Sequence, residues 1–279
     1  MYVPALLLLF IFIIYPFISG FRIAFTNWNG FSQHYKYVGF ENIIAMAKDV
    51  NVGMAITNTL IYGFGSMIFQ QLLGLAYAVL LNKSFKMRNF SRTLIYLPVL
   101  ISAVVMGYMW SYLTRYDGGA LNDILKFFGK EQIFWLSNRQ LAMFILLLIN
   151  ITQYVGISMV IYLAGLQGIP GMYYEAAQID SATSWQQFKY ITIPMLYPSI
   201  ITSVTLNLIG GLKLFDVIRA LTSGGPAYTT HSLSSLLTDT YFQSQNAGYA
   251  ACEGMLLFLM ILIIMLVIQK VFLNKEVNY

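Results

Sequence analysis

The chain has 279 residues, 58% of them hydrophobic and only 10% charged, with a mean hydropathy of +0.67. Soluble domains carry about 25% charged residues, so this composition excludes a soluble globular protein and points to an integral membrane protein. The net charge of +5 belongs to loops that set orientation and is no nucleic-acid signal. A single cysteine, Cys252, excludes an internal disulfide, and His34 and His231 are too few for a zinc site, which needs about four ligands. No metal and no catalytic residues are expected.

A bilayer core of about 30 Å takes about 20 apolar helical residues. Six stretches qualify, near 3–25, 55–81, 93–113, 141–167, 198–218 and 248–273. Backbone groups in lipid must be satisfied within the segment, so these are helices; no run alternates as the strands of a membrane barrel do. The predicted fold class is an all-α integral membrane protein with six transmembrane helices in one domain, 1–279. The first run lacks a basic start, is too long for a signal-peptide core and has no small-x-small cleavage site, so it is expected to remain as a span. In the second, Gly74 and Ala78 form a small-residue pair for close helix approach, as do Ala164 and Gly168 in the fourth.

Orientation rests on the 82–92 loop, where Lys83, Lys86, Arg88 and Arg92 stand with no acid. The positive-inside rule makes it cytoplasmic. Alternation then puts both termini inside, with Lys270 and Lys275 in agreement, and 26–54, 114–140 and 219–247 outside. Ser137-x-x-Gln140 reads as a capping box that starts the fourth span.

The polar stretch 168–197 lies between two apolar helices, on the inner side. Gly168 to Gly171 ends the fourth span, and Met172 to Asp180 reads as a short helix with Glu175 in its first turns, where the helix dipole favours negative charge. Ser184-x-x-Gln187 reads as a second capping box, and Pro194 and Pro198 as the stop before the fifth span. A helix lying on lipid headgroups predicts several Lys or Arg residues; only Lys189 is present, and the small residues Ala176, Ala177 and Ala182 suit a protein cleft better.

The run Tyr174, Glu175-Ala176-Ala177, Asp180, Ala182, Phe188, Ile191, Pro194 and Pro198 resembles the signature loop of binding-protein-dependent ABC importer permeases. Phe25-Thr26-Asn27-Trp28, Asn58-Thr59, Phe215-Asp216-Val217-Ile218, Leu221-Thr222, Gly224-Gly225-Pro226 and Gly248-Tyr249-Ala250-Ala251 extend the resemblance over essentially the whole chain, to the MalF-like subunit of carbohydrate importers. Ser181 departs from the family's glycine; if that turn needs positive φ, serine costs roughly 1 kcal/mol. The resemblance implies type I ABC importer permease architecture, with Tyr174, Glu175, Ala176, Ala177, Asp180, Ser181, Ala182 and Phe188 gripping an ATPase. It implies as partners a second, different permease, an ATPase dimer, an extracytoplasmic sugar-binding protein and membrane lipid, in a bacterial cytoplasmic membrane. No Gly-x-x-x-x-Gly-Lys loop is present, so this chain is expected to bind no cofactor; ATP-Mg belongs to the partner ATPase.

Polar groups near the bilayer midplane mark where a solute sits. Asn207 lies halfway along the fifth span, with Gly210 and Gly211 opening space beside it. Asn150, Gln153 and Tyr154 lie mid-way in the fourth, and Gln70 and Gln71 in the second. Amides and aromatic faces match sugars; the alternative is that these amides only bond neighbouring helices. Lys213, Asp216 and Arg219, at i, i+3 and i+6, form either a pair ladder, with Glu253 joining, or a gate contact. An importer of another solute, such as a glycerol phosphate, is the alternative within the family. An ion-coupled secondary transporter wants a midplane carboxylate, absent from the second to fifth spans. An intramembrane enzyme wants a nucleophile with a base, and neither is apparent.

Overall fold

The computed structural model describes residues 2–276. The elements are α1 (Val3–Ile23), α2 (Glu41–Lys48), α3 (Val50–Asn82), α4 (Arg88–Leu100), α5 (Ala103–Leu113), α6 (Ala120–Phe127), α7 (Arg139–Gln167), α8 (Met172–Ile179), α9 (Ser184–Gln187), α10 (Tyr197–Leu212), α11 (Asp216–Leu221), α12 (Leu233–Phe242) and α13 (Ala247–Glu276). Among the described residues the only β pairing is an isolated bridge between Thr26 and Tyr37. Five helices are long and apolar enough to cross a membrane, and α4 with α5 makes a sixth span if the bent pair counts as one.

That bent pair corrects the expected straight helix over 93–113. α4 and α5 meet at 98°. Pro98 removes a backbone donor, the helix tightens over Leu97–Leu100, and Ile101 and Ser102 are both extended (ψ 134° and 137°). The fifth span runs over Tyr197–Leu221 and contains the expected 198–218, but its helix is interrupted: α10 stops at Leu212 and the chain restarts as α11 at Asp216. The second span begins at Val50, before the expected 55, because the Asp49 carboxylate accepts from the Asn51 N–H at 2.8 Å and caps it. The cap of α7 is Asn138, not Ser137. Asn138 is extended (φ −126°) and accepts from the Leu141 N–H at 2.9 Å, while the Ser137 hydroxyl turns back to the Phe134 carbonyl at 2.8 Å.

The centre of the molecule is α3, α7 and α10. In lipid, apolar side chains gain little by leaving their surroundings, so helices associate where small residues let backbones approach. A Cβ on Gly74 would lie 2.4 Å from Ser158 Cβ, and Ala78 is fully buried against the cluster of Tyr162, Leu163 and Leu196. Gly211 of α10 faces Gly63 of α3, where a Cβ would meet the Gly63 Cα at 2.8 Å. The expected Ala164 and Gly168 pair is exposed; Gly165, one residue on from Ala164, makes the contact, its Cβ position 2.3 Å from the Ser199 hydroxyl. α1 has no buried residue between Val3 and Ile23, and touches α13 through Phe17 and Phe21 on Phe258.

Gly74→Leu is expected to lower the thermal unfolding midpoint of detergent-purified protein, since overpacking costs about 1–3 kcal/mol. Gly53→Ala, where nothing lies within 4 Å of the added methyl group, is expected to raise it through roughly 0.5–1 kcal/mol of added helix stability.

Candidate functional site

The 168–197 loop folds as two helices at one end of the bundle. α8 ends in a closed turn: the Ala182 N–H reaches back to the Ala177 carbonyl at 2.9 Å and the Ser181 N–H to Gln178 at 3.0 Å. Ser181 sits between them at φ +57°, so the turn where the family has glycine is left-handed and carries a serine, at a cost of about 1 kcal/mol. The capping box lies one residue earlier than expected. Thr183 is extended (φ −67°, ψ 158°) and exchanges bonds with Gln186, accepting from its N–H at 3.3 Å and donating its own N–H to Oε1 at 2.7 Å. Gln187 instead donates to the Ala182 carbonyl at 3.1 Å. Pro194 and Pro198 do not stop the helix. A widened turn over Phe188–Thr192, in which the Ile193 N–H bonds the Phe188 carbonyl, carries it through Ile193–Met195 to α10, and both prolines occupy early positions of helical segments.

Tyr174 is a strut. Its hydroxyl bonds that of Thr192 at 2.9 Å, tying α8 to the helix that becomes α10. Glu175, Ala176, Asp180 and Ser181 are exposed, while Ala177, Ala182 and Phe188 are half-buried. Ile179 is 85% and Trp185 69% exposed, which leaves an apolar face uncovered on a polar loop. The same end holds the basic loop: Arg92 donates to the Leu81 carbonyl at 3.1 Å, and the Gln167 amide oxygen, turned toward the guanidinium groups, accepts from Arg88 at 3.2 Å and Arg92 at 3.3 Å.

A cavity of about 310 Å³ lies between α3, α7, α10 and α11. Asn150, Tyr154, Asn207, Gly210 and Gly211 line it, as expected, together with Gln70, Lys213, Phe215 and Asp216. Gln70 donates to the Asn150 backbone carbonyl at 2.8 Å. The Gln70 Oε1 and Asn150 Nδ2 that remain are buried with no partner, one acceptor and one donor in the same wall. Asn207 donates to the Ser158 hydroxyl at 2.5 Å. Gly210 leaves open space, whereas Gly211 is filled by α3. Gln153 is not in the lining; it donates to the Ile101 carbonyl at 2.9 Å and satisfies the break between α4 and α5. Gln71 accepts from the Tyr162 hydroxyl. The expected charge ladder does not form among the described residues: Arg219 pairs with Asp239 of α12, and Lys213 and Asp216 stand in the cavity wall.

The opposite end is interlocked. Asn58 donates to the Thr229 and His231 carbonyls at 2.8 and 2.9 Å and accepts from Arg139 at 2.9 Å. The Thr59 hydroxyl caps α12 through the Leu233 N–H at 2.9 Å, and Tyr62 donates to the Thr230 carbonyl at 2.9 Å. A Cβ on Gly224, at φ +82°, would lie 1.8 Å from the His231 ring; one on Gly248 would lie 2.0 Å from the Thr26 carbonyl, and the Gly248 N–H donates to Trp28 at 2.8 Å. His231 is buried with Nε2 3.4 Å from Asp239. Burial holds its imidazole below the ordinary value of 6.5; Asp239 opposes that shift and Arg219 adds to it.

The family of binding-protein-dependent transport system inner membrane components matches residues 70–274, nearly three-quarters of the chain. The chain belongs to that family. It is similar to the probable starch degradation products transport system permease protein AmyD of Thermoanaerobacterium thermosulfurigenes, at 30% identity over 98% of this chain and 92% of that protein. It is similar to the trehalose/maltose transport system permease protein MalF of Thermococcus litoralis, at 31% identity over 97% and 92%. A chain of the crystal structure of a bacterial alginate ABC transporter, in complex with an alginate pentasaccharide-bound periplasmic protein, superposes with a TM-score of 0.83 at 25% identity, covering 95% of this chain and 90% of that one. The expected type I importer permease fold is therefore the fold of this chain, and the family is one of transport permeases, not of enzymes.

The permease places several resemblance motifs together. Asn58-Thr59, Gly224-Gly225-Pro226 and Gly248-Tyr249 share one end of the bundle, a juxtaposition their spacing in the chain did not reveal. Lys213, Phe215 and Asp216 reach the cavity because α10 breaks, and no sequence signal announced that break. Protonation of His231 is linked to stability with a definite sign. Its folded value lies below the unfolded one, so the unfolded chain takes the proton first. Stability is full above about pH 6.5, falls as the pH drops through that value, and levels off below the folded value. The apparent melting temperature of the permease is expected to fall between about pH 7 and pH 5, and His231→Gln to flatten that profile.

Proposed function

We propose that the permease is the membrane-spanning subunit of an ATP-driven importer of sugars or oligosaccharides, a single domain over 1–279, of which residues 1 and 277–279 lie outside the described residues. The exposed, strutted 172–190 loop carries this reading, because a polar element held rigidly to a transmembrane helix can transmit force. A separate ATPase pair binds and hydrolyses ATP-Mg. Its closure moves Glu175, Ala176, Ala177, Asp180, Ser181 and Ala182 as one body; the Tyr174 to Thr192 bond and the helix through Phe188 pass that displacement to α10, hence to Asn207. A second, different permease completes the solute path, and a secreted sugar-binding protein delivers solute from the other side. The basic 82–92 loop shares an end with the 172–190 loop, so the positive-inside rule makes that end, and both termini, cytoplasmic in a bacterial cell membrane.

The cavity supports a neutral, hydroxyl-rich solute. A sugar hydroxyl both donates and accepts, and the Gln70 Oε1 and Asn150 Nδ2 offer one partner of each kind; Tyr154 and Phe215 add aromatic surface. The relatives named for starch degradation products and for trehalose and maltose agree with this class. Lys213 in the wall favours an anionic solute such as a glycerol phosphate, and Asp216 beside it opposes one.

In vesicles holding the assembled transporter, Glu175→Lys is expected to abolish ATPase stimulation by the binding protein and to cut uptake at least tenfold, with unchanged melting temperature because Glu175 is exposed. Normal stimulation and uptake would reject the loop's role. Asn150→Leu leaves the Gln70 bond to the Asn150 backbone in place and is expected to reduce maximal uptake about tenfold, equivalent to about 1.4 kcal/mol, while ATPase stimulation persists; equal uptake would remove the cavity from the solute path.

A further inference from the structure

A second cavity, of about 750 Å³, opens at the interlocked end between α2, α12 and the start of α13. Its wall holds three carboxylates: Asp49, Asp239 and Glu253. Asp239 is balanced by Arg219. Asp49 accepts from the Tyr249 hydroxyl at 3.0 Å and caps α3 at 2.8 Å, both from neutral donors. Glu253 is 1% exposed; the Thr240 side chain hydrogen-bonds its carboxyl group, and Oε2 meets no donor. The other charged group in the lining, Lys48, is exposed and free to stay in water; Tyr228 and Tyr249 are the lining's phenols. Asp49 is therefore the carboxylate of the wall that meets only neutral donors, and Glu253 keeps one buried oxygen unmatched. A buried unmatched oxygen of this kind is costly unless a donor arrives.

We propose that this cavity is a docking socket for a basic side chain, Lys or Arg, presented by the solute-binding protein of the same transport system. Among the described residues no three His, Cys, Asp or Glu side chains lie close enough to hold a metal ion. A guanidinium or ammonium group on a long stem fits the charge and can reach the half-buried Asp49 carboxylate from the aqueous side. The socket lies at the end opposite the 172–190 loop, where the proposed import reading brings the binding protein; it rests on that reading. Occupying it would couple arrival of the binding protein to the segments that hold α12 and α13 against α3.

The test uses the assembled transporter in lipid nanodiscs, titrated with the purified solute-binding protein of the system while ATPase activity is followed. Ser244→Lys places a competing cation at the exposed rim of the cavity. It is expected to raise the binding-protein concentration for half-maximal stimulation about tenfold, with basal ATPase unchanged. Glu253→Gln is expected to raise it several-fold and to weaken its dependence on salt. Unchanged half-saturation in both variants would overturn the socket while leaving the import reading intact. Loss of the second permease from the purified Ser244→Lys complex would also overturn it, by making the cavity a subunit contact. A wild-type transporter that the binding protein does not stimulate would overturn both readings.

Discussion

In hydrocarbon a backbone group without a partner has no water to turn to, and several breaks in the helices of this permease are answered by side chains. The break at Ile101 is met by Gln153, the segment at 229–231 by Asn58 and Tyr62, and the start of α12 by Thr59. Each of these groups comes from a different helix than the break it serves. The cost of leaving such groups unpaired, several kcal/mol each in an apolar medium, is what holds the irregular segments in one arrangement. It also explains why the polar residues of the spans cluster and do not scatter.

Two ends of unequal character follow. One is interlocked by amides, hydroxyls and glycines packed to contact, with Gly224 under His231 and Gly248 under Thr26. The other projects α8 into solvent on a closed turn, joined to the bundle by the Tyr174 strut and by the helix that runs on into α10. Between them lies a cavity whose wall keeps one donor and one acceptor in reserve. An exposed element tied to a transmembrane helix at one end, an interlocked assembly at the other and an unsatisfied polar wall between them suit the alternating path proposed for this permease.

Much of this was legible from residue order. Apolar run lengths identified the membrane helices, and Gly74 with Ala78 marked a real close approach. Asn150, Tyr154, Asn207, Gly210 and Gly211, picked out by depth as candidate solute contacts, line one cavity, because polar groups at the midplane are rare enough to be informative. Errors followed a pattern. Caps were misplaced by one residue at Asn138 and Thr183, since neighbouring residues there can all cap and only the extended backbone selects one. Gln153, expected beside the solute, lies outside the cavity lining and bonds the Ile101 carbonyl; an amide that serves a distant broken carbonyl looks the same in sequence as one that serves a ligand.

Composition and periodicity, by themselves, determined that this chain lives in a membrane, roughly which segments cross it, and that one polar loop is a helical element; the left-handed turn at Ser181 was raised only by the family resemblance and decided by the structure. These are local or additive properties: hydrophobic length, charge density and turn chemistry. Tertiary structure alone decided where α4 turns into α5, that α10 breaks so that Lys213 and Asp216 join the cavity, and that Arg219 chooses Asp239 over Asp216. Those outcomes depend on which partner a distant helix presents, and a side chain in lipid pairs with whatever packing brings within reach.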